Sequence, residues 1–139
     1  MSKKTEIEKN LTFEISDKEL EASRRWAIEL ARLAHDRHCS QIVILELAGR
    51  SPVATHFVIC TGTSDQQVRA VAAEMEKTGK EKNNAPFHHA GLQQGKWVIL
   101  DFFDVVVHLF DQEYRLFYDL ELLWGDAPHI EWQRDETNH

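Results

Sequence analysis

Nothing in this chain approaches the roughly 20 consecutive apolar residues that cross a bilayer. Its opening, MSKKTEIEKNLTFEIS, also lacks the apolar centre of a secretion signal. No membrane partner is expected, and a cytoplasmic protein is. Cysteine is scarce: Cys39 and Cys60 stand in apolar surroundings outside any CxxC, which points to structural thiols rather than a disulfide or metal ligands. Basic residues are nearly missing from residues 111–139, where eight acids face only Arg115 and Arg134 and account for most of the net charge of -7. A surface of that sign repels a phosphate backbone and steers basic proteins toward itself. Direct nucleic-acid recognition is therefore not expected. The chain has no lysine-bearing P-loop, no internal repeat, and no serine or cysteine beside a legible base.

What remains is a chain of 139 residues, 28% charged, with a mean hydropathy of -0.44. That length suits one domain around a single core. Residues 1–14 read as a polar tail, 15–132 as the folded domain, and 133–139 as a second, acidic tail that aids solubility. Ser16 and Glu19 form a capping box, with Ile15 and Leu20 as its hydrophobic staple. The helix they open places Ala27, Leu30, Ala31, Leu33 and Ala34 on one side and ends near His38. Gln41 to Leu47 and His56 to Thr61 read as buried strands. Ser64 and Gln67 open a second helix with Val68, Val71, Ala72 and Met75 as its apolar face and Gly79 as its stop. Three further strands are expected: a short one within Phe87 to Leu92, then Lys96 to Asp101, then Val105 to Phe110 after a hairpin at Phe102 and Phe103. Glu113 to Trp124 closes the pattern as an acidic, aromatic helix. The order αββαβββα predicts an α/β sandwich over a mixed sheet of about five strands.

Each candidate for chemistry meets a plainer reading. Gly62-Thr63-Ser64 follows a strand and opens a helix, where backbone amides can hold a phosphate, but the capping role is the preferred reading of the serine. A nucleotide-using enzyme would add paired carboxylates. Asp101 and Asp104 stand three apart, so they do not share a strand face as an Asp-x-Asp pair does. His35, His38 and Cys39 lack further ligands at a metal-binding spacing, and His88 and His89 point to opposite faces of a strand. His108, inside the most apolar strand, reads as a hydrogen-bonded core or rim residue. Trp97, Tyr114, Tyr118 and Trp124 are either core or the aromatic anchors of an interface with a basic partner. Trp97 begins a strand after a glycine-bounded turn, which places it near an edge.

Four blocks carry a family resemblance: His56 to Ile59 with Thr61 to Ser64 (HFVI, TGTS), Gly95 to Asp101 (GKWVILD), Asp104 to Phe110 (DVVVHLF) and Arg115 to Trp124 (RLFYDLELLW). Over about Leu20 to Trp132 the chain resembles the ribosomal silencing factor family, also called Iojap-like proteins. The resemblance implies a nucleotidyltransferase-like fold without the enzyme's metal site, and no cofactor. It implies docking on the large ribosomal subunit at protein L-fourteen, where the domain blocks joining of the small subunit and represses translation. It also implies pairing of two copies through the sheet side, and contact residues at Trp97, Asp101, Asp104, His108, Tyr118, Glu121 and Trp124. The chain departs from the family pattern at Thr55 and His56, where an acid and a tyrosine are usual, at Ala90, where a glutamate is, and at Phe103, where a glycine is. All four are expected at surface or turn positions. Two other readings stay open: an enzyme using Gly62 to Ser64 with Asp101, and an assembly factor that binds the same subunit without obstructing joining.

Overall fold

The fold is described for residues 16–117 and 125–135 of a computed structural model. The expected tail 1–14, the staple residue Ile15, most of the closing helix and residues 136–139 lie outside the described residues.

Helix α1 (Asp17–Asp36) starts where Ser16 Oγ accepts from the Glu19 amide at 3.1 Å. Ala27, Leu30, Ala31 and Ala34 are buried along it, joined by Trp26 and Ser23, while Leu33 is half-buried. The helix stops two residues short of His38. The Cys39 amide reaches back to the Ala34 carbonyl at 2.9 Å, and His38 turns the chain at φ 71°. Strands β1 (Ser40–Glu46) and β2 (His56–Gly62) follow. Ser64 then caps α2 (Asp65–Glu81), accepting from the Gln67 amide at 3.1 Å. This helix outruns Gly79 by two residues, because Asn83 at φ 56° supplies the left-handed stop. Next come β3 (His88–Ala90), β4 (Trp97–Asp101), β5 (Val105–Asp111) and α3 (Gln112–Phe117).

The strands form one mixed sheet in the order β1-β2-β5-β4-β3, with β2 and β5 parallel and the other pairs antiparallel. β5 is central and buried along its whole length, as its unbroken apolar run predicts. The pleat divides the side chains between two faces. Val58, Cys60, Leu100, Val107 and Leu109 meet α1 and α2 in the larger core. Leu45, Leu47, Ile59 and Phe110 form a second cluster on the other face, with Phe57, Trp97 and Tyr114 packed against it. Neither α1 nor α2 contributes to that second cluster.

A strap late in the chain closes the β1 edge of the sheet. The Glu46 amide donates to the Pro128 carbonyl, His129 bridges Leu45, and the Ile130 amide donates to the Ile44 carbonyl. Trp132 Nε1 then reaches the Ile42 carbonyl at 3.1 Å, and Arg32 Nε donates to the Trp132 carbonyl at 2.7 Å. Beyond residue 132, Arg134 grips Asp36 through two hydrogen bonds of 2.8 and 2.9 Å. That guanidinium lowers the Asp36 pKa.

Two of the four departures are not surface or turn positions. Thr55 is buried and His56 wholly so, at 0% exposure. His56 shares the pleat face of Val58, so its ring lies under α1 rather than toward water. Phe103 is a turn residue as expected, 73% exposed at φ 85°, a conformation that suits glycine. Its amide is held by Asp101 Oδ1 at 2.9 Å, and its ring meets Phe87 edge-on.

Candidate docking face

The face away from α1 and α2 is aromatic because three strands each place alternate rings or branched side chains on it: Phe57 and Ile59 from β2, Trp97 and Ile99 from β4, and Val106, His108 and Phe110 from β5. Register puts Ile99, His108 and Ile59 in one cross-strand row and Trp97 beside Phe110 in the next. The rings interlock. Trp97 and Phe110 stack with centroids 5.0 Å apart, and Phe57 meets His108 at 4.6 Å. Trp97 Nε1 donates to His108 Nδ1 at 3.1 Å. Burial pushes the His108 pKa down to about 4, so its ring is neutral at ordinary pH.

Trp97 is half-buried and stands beyond the β3–β4 ladder, since β3 pairs only with Ile99 to Asp101. The turn before it explains the placement. Gly91 adopts φ 81°, and a Cβ there would fall 2.0 Å from the Trp97 carbonyl oxygen, so only glycine lets the turn fold back this closely. Asp101 shares the face with Trp97 and Ile99 at the far end of β4, half-exposed. Asp104 does not join them. Its carboxylate accepts from Ser23 of α1 at 3.2 Å, and its carbonyl takes the amides of Thr55 and His56. Tyr118, Glu121 and Trp124 lie outside the described residues.

The phosphate-binding reading meets a different geometry. The Thr63 amide and hydroxyl both donate to Gln67 Oε1 within the loop. Beside them lies a depression of about 470 Å³ whose walls include Asp65, Lys96, Asp111 and Glu113. Lys96 pairs with the buried Asp111 at 3.1 Å, and that carboxylate raises the lysine pKa. Asp101 is far from this place: it sits opposite Val106, while Gly62 sits opposite Asp111, about 17 Å further along β5 at the usual rise per residue. The enzyme that would use Gly62 to Ser64 with Asp101 is not built here. Among the described residues, no three His, Cys, Asp or Glu side chains converge as a metal site. His89 pairs with Glu76 at 3.0 Å, and His35 lies against Trp132.

Sequence reasoning named Trp97, Asp101 and His108 but missed Phe57, Ile99 and Phe110. The period-two alternation of β2 and β4 was the available signal, because it puts Phe57 and Trp97 on the same side of the sheet once the strand order is known.

Residues 20–139 match the model of a family described as ribosomal silencing factor during starvation. The chain is 42% identical over 107 residues to a ribosomal silencing factor RsfS of Halalkalibacterium halodurans, covering 74% of this chain and 92% of that one. It is 41% identical over 98 residues to the Bacillus subtilis RsfS, covering 70% and 83%. It is 34% identical to the chloroplastic protein Iojap of Arabidopsis thaliana, covering 78% of this chain and 45% of the plant protein. A crystal structure from Bacillus halodurans superimposes with a TM-score of 0.65 at 38% identity, over 74% of this chain and 94% of that one. A second, from Chromobacterium violaceum, gives 0.67 at 27% identity over 89% and 98%.

Proposed function

Because the chain belongs to the ribosomal silencing factor family, a family of ribosome-binding factors and not of enzymes, we propose that its aromatic sheet face docks on protein L-fourteen of the large ribosomal subunit. The bulk of the domain then keeps the small subunit from joining, and translation is held down without any turnover.

One observation carries this reading: a sheet face rich in rings, to which neither α1 nor α2 contributes, with the half-buried Trp97 near its margin. Aromatic anchors ringed by polar groups are what interface hot spots are made of. The acids of residues 111–139 give this late part of the chain a negative charge, the sign that attracts a basic ribosomal protein. The contact set is Trp97 and Asp101 on the described face, with Tyr118, Glu121 and Trp124 carried by the family resemblance. Asp104 is a support beneath the hairpin and His108 lies under the rings. Action in the cytoplasm follows the bacterial relatives, and a homodimer through the same face would compete with docking. No helix among the described residues is long and apolar enough to cross a membrane.

The test is sedimentation with purified ribosomal subunits at modest ionic strength. Saturable co-sedimentation with large subunits, together with fewer joined particles when small subunits are added, supports the proposal. Failure to bind overturns it. Binding that leaves joining intact replaces it with the assembly-factor reading.

A further inference from the structure

We infer that His108 is a positioning residue for the docking face: it holds the Trp97 indole in its binding orientation from beneath and is not itself a contact. The inference rests on the docking role proposed for this face.

The argument begins with accessibility. His108 is 6% exposed, closed in by Phe57, Trp97 and Phe110. A partner on the surface meets the half-buried rings of Phe57 and Trp97 before it meets the imidazole. The hydrogen bond then fixes the protonation pattern. A neutral imidazole has one donor and one acceptor. Trp97 Nε1 can only donate, so Nδ1 of His108 is the acceptor and Nε2 carries the proton. Among the described residues, that buried Nε2 has no hydrogen-bond partner.

An orphaned donor in an apolar setting is unfavourable, and leucine or phenylalanine at position 108 would remove it while filling the same space. The acceptor offered to Trp97 is what the imidazole adds. An indole whose N–H is satisfied from below has one preferred rotation, and ordering it before the partner arrives lowers the cost of binding. β4 and β5 make the pairing possible by register: Trp97 stands opposite Phe110, two residues beyond His108 on the same face.

The experiment has a spectroscopic arm on the free protein and a binding arm. In the unaltered protein at neutral pH, 15N spectra should show Nδ1 of His108 unprotonated and Nε2 protonated; the reverse tautomer overturns the inference without any mutation. His108→Phe keeps a ring but removes the acceptor. It should move the Trp97 indole N–H resonance, speed its hydrogen exchange, and weaken co-sedimentation with large subunits about tenfold, as the loss of one hydrogen bond implies. His108→Asn, which places an oxygen near the Nδ1 position, should restore both readouts in part. Folded His108→Phe that binds like the parent overturns the positioning role. Should that variant not fold, Trp97→Phe serves instead: it keeps the ring without the donor and should weaken binding comparably, and full affinity in it overturns the inference. Trp97→Ala tells the two proposals apart: if it binds undiminished the docking face itself is wrong, whereas if it weakens while His108→Phe does not, only the positioning role fails.

Discussion

Each face of the sheet buries one histidine, and the two sit in unlike company. His56, beneath α1, has Nδ1 2.9 Å from the Thr55 hydroxyl, while Nε2 lies 3.7 Å from Glu46, a carboxylate also held by Arg24 at 3.1 Å. His108, on the opposite face, has rings around it and, among the described residues, the Trp97 N–H as the one hydrogen bond to its ring. Burial pushes both down to about 4, but charges act only on His56, with Glu46 and Asp104 pulling it upward and Arg24 pulling it down. The same protonation state thus arises from two constructions. One imidazole belongs to a polar knot that ties α1 to the start of β2, and the other is a neutral acceptor under an aromatic platform. The helix-covered face is a foundation of mostly aliphatic packing, whereas the other face stacks rings, with Phe57 and Trp97 half-buried and Phe110 wholly buried.

That contrast can be broken or sharpened by experiment. The largest effect belongs to the foundation. Leu109→Ala removes a fully buried side chain between sheet and helices and should cost about 2–5 kcal/mol in denaturant unfolding, with large-subunit affinity of the folded fraction unchanged. A comparable loss of affinity would mean that the two faces are not separable.

Acid comes next. Both histidines titrate near 6.5 when unfolded and at about 4 when folded, so between those values the unfolded chain holds more protons. Stability should therefore fall as pH is lowered through that window, by at most about 3 kcal/mol per histidine, and stay flat in this respect above it. Unfolding free energies at several pH values check the slope, and replacing either histidine with Phe should flatten it by half.

Trp97→Ala tests the platform directly. It should weaken large-subunit binding by about 2 kcal/mol, measured by co-sedimentation, with a smaller effect on folding. Added salt should slow capture more than it speeds release if the acids steer and the rings hold. The smallest effect is local: Ser64→Ala removes the α2 cap and should lower stability by about 1 kcal/mol, leaving both faces and the binding unaltered.

Most of the fold was legible because its elements announce themselves by period and punctuation. Ser16 and Ser64 cap the helices they were expected to cap, and the unbroken run from Val105 to Phe110 is the central strand. Other features depend on contacts between distant residues. The strap over β1 rests on a single bridge at His129 and a few backbone bonds, with no alternation to betray it. Thr55 and His56 look like polar strand-entry residues, yet the chain carries them under α1, where Asp104 binds both their amides. Asp101 and Asp104 could be separated from each other by spacing alone, but not assigned to their different surroundings. Trp97 and His108 were each noticed as candidates. Their hydrogen bond was not, because residues eleven apart meet only once the register of β4 on β5 is fixed.

The strap has a consequence for how the chain fails. An outer strand with bare amides and carbonyls is a template for pairing with any neighbouring polypeptide. In β1 that row is occupied by Pro128 to Ile130. A version of the protein ending at Gly125 would keep every strand of its sheet and both long helices, yet expose an apolar ribbon through Ile44 and Leu45. Its fate should be insolubility in concentrated solution, and a short peptide spanning Pro128 to Trp132, supplied in trans, should keep it dissolved.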